Sequence, residues 1–414
     1  MFIIVLSCVF ANVLNLSPSG VNAVTHPYCN ISIKNDFNDR PPLLIATKFN
    51  RTDFVLPTTS SEIINVKEGN FIGVFCPGSN VTLSDVPIRE NLTRLECRYD
   101  KFYLHNGTSV NFATIACSKS LKSVAQYTGK SCLKRYKEFE IGYRYQRDFL
   151  TLIRGCFDKV HKITLYTVSA ITKAINYAKF AIPRKAYWSK GSFFAGVRIN
   201  RAYIRSNQRN VINRQVGLSN QNSTKYISEN DNIYYLSRGH LTPKTDFIYG
   251  PHQDVTFHFL NAVPQWQLLN GGNWKILEKT LRDLASSRGI DLNIYTGISG
   301  ILSFRHEKTG RSTELYLHLG DRRKRIPVPK FVWKIAYDSA NNKGIAFVGV
   351  NNPYLNGNYS KVKICANVCF SASYLHFKKN YGKYGYVYCC KVDEFRRKIS
   401  TVPDEVARGL DLLT

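Results

Sequence analysis

Acidic residues are scarce in this chain. It has 29 Asp and Glu against 57 Lys and Arg, a net charge of +28 over 414 residues. Solubility alone needs far less charge of one sign, so the excess points to a polyanionic partner: nucleic acid, an anionic glycan or an acidic surface. Long apolar runs are also missing after residue 16, which excludes a later bilayer-spanning helix and leaves no membrane partner. Internal repeats and low-complexity tracts are absent, which excludes a solenoid. Gly297-Ile298-Ser299-Gly300 lacks the Gly-x-Ser-x-Gly spacing of a hydrolase nucleophile elbow.

The one early apolar run, residues 2–16, is followed by polar residues and the small-residue site Val21-Asn22-Ala23. It reads as a signal peptide over 1–23, although no Lys or Arg precedes it, with a mature chain beginning near Val24. The expected destination is extracellular. Cysteine usage agrees. Of 11 cysteines, Cys8 leaves with the signal, and an even number remains for disulfides in an oxidising compartment. Cys365, Cys369, Cys389 and Cys390 fit no standard zinc spacing. Asn-x-Ser/Thr sequons at Asn30, Asn50, Asn80, Asn91, Asn106, Asn222 and Asn358 suit a glycoprotein.

Residues 24–135 read as a β-rich, glycosylated, disulfide-bonded accessory module. Short alternating runs such as Phe71–Phe75 and Arg94–Arg98 are broken there by Gly, Pro, Asn and Asp. It carries no catalytic motif, and a separate interaction role for it stays open. Residues 133–149 interleave basic and aromatic side chains, as a stretch that contacts phosphates and stacks on bases would, or a solvated linker or strand face. The remainder, 140–400, reads as one α+β domain. Strands are expected over 163–168, 233–236, 255–263, 292–296 and 331–337. Trp274, Leu277, Leu281 and Leu284 form one apolar stripe that predicts a helix over 272–288, stopped at Gly289. His252, Asp254 and His258 share strand parity, but they are read as structural rather than as a metal cluster. Arg322-Arg323-Lys324-Arg325 is either a phosphate-contact loop or a solvated run.

Two segments carry chemistry. Ser237-Arg238-Gly239-His240 sets an Arg and a His at the end of a β-like run. Asn261-Ala262-Val263-Pro264-Gln265 continues to Asn270-Gly271-Gly272-Asn273-Trp274 and Glu278. A neutral imidazole can take a proton from water near neutral pH. An amide oxygen is a hard ligand acceptable to Mg²⁺, which takes few protein ligands and keeps several waters. On a basic chain, this combination suggests metal-assisted phosphodiester hydrolysis.

These residues resemble the DNA/RNA non-specific endonuclease family, which includes the Serratia nuclease and mitochondrial endonuclease G. Within it, Ser-Arg-Gly-His and the Pro-Gln-Trp-Gln at 264–267 are most similar to secreted arthropod gut and salivary nucleases of double-stranded RNA. The resemblance covers roughly 140–400. It implies a ββα-metal fold with a central antiparallel sheet flanked by helices. It also implies His240 as general base and Asn270 as the direct protein ligand to Mg²⁺, with Mn²⁺ as a substitute. Arg238 would face the scissile phosphate, Glu278 would hold a metal-bound water or its network, and Asn261 would orient the site. Arg209 of Arg209-Asn210 would be a second arginine. If the helix began near Asn270, positions 270, 274 and 278 would form one ridge. The implied substrates are double-stranded RNA and also DNA, with 5′-phosphate products, in gut lumen or saliva. Ser237 stands where the family usually has Asp, which alters local charge but neither base nor ligand. The competing reading is a non-catalytic polyanion binder on a nuclease fold. Oligomeric state is not legible.

Overall fold

In strands Pro329–Asp338 and Lys343–Val350 nearly every residue is buried, the pattern of strands covered on both faces. They are neighbouring strands of a nine-stranded sheet in a computed structural model that describes residues 28–49, 51–58, 61–84, 86–177, 187–320, 323–355 and 357–414. The expected signal peptide, Asn50 and Arg322 lie outside the described residues.

The large sheet runs in the order Val124–Cys132, Tyr136–Tyr145, Asp148–Asp158, Ile163–Ile171, Leu292–Ile301, Pro329–Asp338, Lys343–Val350, Tyr386–Cys390. All these pairs are antiparallel, and Asp411–Leu412 adds a short parallel strand on Lys343–Val350. The basic, aromatic stretch 133–149 is therefore mostly strand, Tyr136–Tyr145 and the start of Asp148–Asp158, with turns at 133–135 and 146–147. Phe139, Ile141, Tyr143 and Tyr145 turn into the core, and charged neighbours such as Lys137 and Arg144 stay outside. The fold class is α+β, with few helices, as the sequence implies.

All ten cysteines among the described residues are paired: Cys29–Cys97, Cys76–Cys117, Cys132–Cys156, Cys365–Cys390 and Cys369–Cys389. The N-terminal part carries a six-stranded antiparallel sheet and smaller two- and three-stranded sheets. It packs directly on the rest. The Phe37 ring lies 5.5 Å from Tyr249 and Phe75 lies 5.3 Å from Tyr145. The sequon asparagines at 30, 80, 91, 106, 222 and 358 are all exposed. No helix among the described residues is long and apolar enough to cross a membrane.

Several expected boundaries shift. The strand expected over 255–263 begins only at Ala262: a short helix, Gly250–Asp254, precedes the span, Val255 and Thr256 turn, and Phe259–Asn261 form a 3-10 turn. Apolar residues recur there because the loop is buried, which imitates a strand. His252 and Asp254 thus have helical geometry, and His258 bonds to Ser123 Oγ at 2.8 Å; the strand-parity cluster does not exist. The strand expected over 233–236 instead runs Leu236–His240. The helix runs Lys275–Arg288, burying Leu277, Leu281, Leu284 and Ala285, and Gly289 ends it.

Candidate active site

The strand Leu236–His240 pairs antiparallel with Ala262–Trp266, so that His240 faces Ala262 and Arg238 faces Pro264. Residues two apart on a strand share a face, which puts Arg238 and His240 side by side. Gly239 between them lies under Gln265. A Cβ there would sit 2.6 Å from Gln265 Cβ and 2.3 Å from its Oε1. Only glycine lets the two strands lie this close.

Aromatic rings frame both side chains. The His240 ring centroid lies 4.9 Å from Trp188 and 5.2 Å from Phe257, edge-on to the latter. Nε2 of His240 is buried without a hydrogen-bond partner. Burial lowers the imidazole to about 4, and the Lys244 ammonium adds to the effect. The ring is therefore neutral at working pH, with a free lone pair or N–H according to tautomer. Arg238 lies within 5.6 Å of the Trp188, Tyr203 and Phe259 rings. Burial among them lowers its guanidinium from the ordinary value, yet arginine stays charged in proteins. Trp188 thus touches both residues. It is held there by backbone bonds from Ser189 N to Phe257 O and from Phe259 N to Ser189 O, at 2.8 and 2.9 Å.

Asn261 is fully buried and clamps the backbone. Its Oδ1 accepts from Thr242 N, and its Nδ2 donates to Thr242 O and Thr256 O, at 2.9, 2.8 and 3.0 Å. Every partner is main chain, so Asn261 fixes the turn after His240 rather than reaching toward a ligand.

The Asn270–Trp274 turn is not a straight start to the helix. Gly272 has φ −98° and ψ −123°, outside the helical region, so Asn270 is not on one ridge with positions 274 and 278. A Cβ on Gly272 would meet Tyr384 O at 2.2 Å, because the 378–385 segment crosses here. Asn273 ties that segment down. Its Nδ2 donates to Lys378 O and Gly385 O at 3.0 and 2.7 Å, and its Oδ1 accepts from Lys378 N at 2.8 Å. The Nδ2 of Asn270 donates to Gln267 Oε1 at 3.2 Å. This leaves the Asn270 amide oxygen without a hydrogen bond among the described residues.

Glu278, half-buried, lies in the field of a buried cluster of Lys334, Asp246 and Arg282. Arg282 Nη1 pairs with Asp246 Oδ1 at 2.8 Å. Lys334 Nζ donates to Thr296 Oγ1 at 2.5 Å and approaches Leu241 O at 3.4 Å. Burial pushes the Glu278 carboxyl up; Lys334 opposes this and Asp246 reinforces it. Burial in turn lowers the Lys334 ammonium, against the pull of Asp246 and Glu278. Lys334 therefore connects the helix bearing Glu278 with the residue after His240.

Arg209 lies on the helix Arg205–Gln215, beside Gln208, which bonds both the N–H and the carbonyl of Leu236 at 3.0 and 2.8 Å. Its guanidinium pairs with Glu229. Among the described residues no bond or ion pair links Arg209 to Arg238, His240 or Asn270. Of the surrounding residues, Trp188, Phe257, Asn273 and Lys334 carry no sequence signal of a site role, since each acts through neighbours distant in the chain.

Residues 135–395 match the family model described as DNA/RNA non-specific endonuclease. The chain belongs to that family. A salivary endonuclease of Lutzomyia longipalpis is 27% identical over 407 residues, covering 97% of this chain and 91% of the relative. The salivary protein Tsal2A of Glossina morsitans morsitans is 24% identical over 391 residues, covering 92% and 94%. Among solved structures, the EndoG/EndoGI complex aligns with 50% of this chain and 74% of its own, at 19% identity and a TM-score of 0.29.

A magnesium ion fits the donors present. Among the described residues no three His, Cys, Asp or Glu side chains are grouped to cage a metal. The free amide oxygen of Asn270 is the kind of sparse, hard donor that Mg²⁺ tolerates while keeping its waters.

Proposed function

We propose that this chain is a secreted, magnesium-dependent endonuclease that hydrolyses phosphodiester bonds of nucleic acids, double-stranded RNA foremost and DNA as well, leaving 5′-phosphate ends. The observation that carries the proposal is the pairing of Arg238 and His240 on one strand face, with a half-buried, neutral imidazole beside a guanidinium. His240 takes the proton from the attacking water. Arg238 lies against the phosphate and stabilises the charge that accumulates in the transition state. Asn270 would hold the metal, Glu278 would order water next to it, and Asn261 fixes the turn after the base. Arg209 serves the phosphate only when freed from Glu229. Bound magnesium, or manganese in its place, would supply positive charge at the phosphate and lower the pKa of a water.

The support for secretion is the apolar leader, the full set of disulfides and the salivary names of the relatives. The preference for double-stranded RNA rests on the likeness of Ser237–His240 and Pro264–Gln267 to secreted RNA-degrading nucleases. A digestion panel of duplex RNA, duplex DNA and each single strand, with Mg²⁺ and with EDTA, tests the proposal. Cleavage should require the metal and should drop by about 10²–10⁴-fold in His240→Ala. Full cleavage by that variant would remove the proposed base. Salt-sensitive binding with no cleavage of any substrate would favour the polyanion binder.

A further inference from the structure

We propose that a pocket lined by the rings that flank His240 takes an unstacked nucleobase near the scissile phosphate, so that within a duplex the cut falls preferentially where a nucleotide is unpaired. This rests on the nuclease reading above. The cavity, about 290 Å³, is lined by Lys122, Tyr187, Trp188, Asp254, Phe257 and His258 among others. This is the small end of ligand sites, room for a planar ring rather than a large molecule. Two of its walls, Trp188 and Phe257, are the rings that flank His240 at 4.9 and 5.2 Å. His240 does not itself line the cavity, so a group held there meets the imidazole only through these two rings. Tyr187 at the rim is 82% exposed, a large aromatic face left to solvent at the mouth of a catalytic site. Lys122, from the segment joining the N-terminal part to the large sheet, supplies a positive charge on the same rim.

Aromatic faces together with a cation form the usual platform for single-stranded nucleic acid. Stacking on them tolerates any base, because every base has a π-face. Burial lowers His258 to about 4, so it presents a neutral ring to the pocket and not a phosphate-binding charge. A base inside a continuous duplex cannot reach such a pocket. It must first leave the stack, which costs least where it is already unpaired or mismatched.

Trp266, Trp274 and Trp333 are at most 1% exposed, so Trp188 is the tryptophan a bound base can quench. The full chain, in EDTA to prevent cleavage, is titrated with a short single-stranded oligodeoxynucleotide and with an abasic strand of the same length. The base-bearing strand should quench the fluorescence and bind about tenfold more tightly. Tyr187→Ala should erase that difference while leaving abasic, salt-sensitive affinity intact, and Tyr187→Phe should keep it. In Mg²⁺, a duplex with a single bulged nucleotide should be cut beside the bulge faster than its fully paired counterpart, and Tyr187→Ala should abolish the advantage. Equal binding and quenching by both strands, or equal losses for both in Tyr187→Ala, would overturn the subsite even if cleavage stands. Base-dependent quenching in a chain that cleaves nothing would keep the subsite and remove the nuclease reading.

Discussion

Lys334, deep in the central sheet, directs its ammonium toward the carbonyl of Leu241, the residue that follows His240. The same ammonium donates to Thr296 and lies in the field of Glu278 and Asp246. One buried cation thus holds the end of the His240 strand and offsets the carboxylates behind it. Replacing one partner of a buried charge cluster strands the others, at about 3–5 kcal/mol. Lys334→Met should lower the free energy of unfolding by that order, measured in urea at pH 7. A loss below about 1 kcal/mol, within the range of exposed pairs, would show that the ammonium stabilises nothing here.

The titration of His240 has a definite direction. A general base works only when deprotonated, so kcat/KM falls as pH drops through its free-enzyme pKa. With burial holding that value near 4 rather than 6.5, the acid limb attributable to His240 should lie below pH 5. Glu278 is the neighbouring acid with displaced titration, so the profile is also measured in Glu278→Gln. A His240 limb at 6.5 in both proteins would mean that the ring is solvated in the free enzyme.

Acid should destabilise the fold for a related reason. His252 lies among Phe54, Phe247 and Tyr249, its Nε2 without a partner, and burial lowers it to about 3. The folded state resists a proton that the unfolded chain accepts near 6.5. Stability from this group is therefore complete above that pH and is lost progressively as pH falls toward the folded value. Urea midpoints between pH 7.5 and 5 should decline, and His252→Phe should flatten the slope by one proton. An unchanged slope in the variant would place the ring in water.

Asn273 has three bonds to the backbone of the 378–385 segment. Asn273→Ala leaves the buried Gly385 carbonyl unsatisfied, at about 1–3 kcal/mol, and frees the part-buried Lys378 backbone to water. Amide exchange at 378–385 should accelerate, and activity should fall because the Asn270 turn loses its outer wall. Exchange equal to the parent protein would mean that the segment is held by other contacts, such as Gly272 against Tyr384.

Much of this protein was decided locally in the sequence. The stripe Leu277, Leu281, Leu284 fixes a helix face, because helical period depends on residues three and four apart. The Arg238-Gly239-His240 spacing puts the arginine and histidine side chains on one strand face, because strand period is two. The excess of Lys and Arg set the charge of the partner, since composition survives folding unchanged. What only the tertiary structure decided are contacts between distant parts of the chain. Trp188 and Phe257 close around His240, Lys334 reaches Leu241, Asn273 clamps Gly385, and Glu229 engages Arg209. The buried loop before Ala262 imitated a strand for the same reason: burial makes residues apolar whether or not they are extended. Cysteine pairing was likewise open until the strands were registered, because proximity in space, not spacing in sequence, joins sulfur to sulfur.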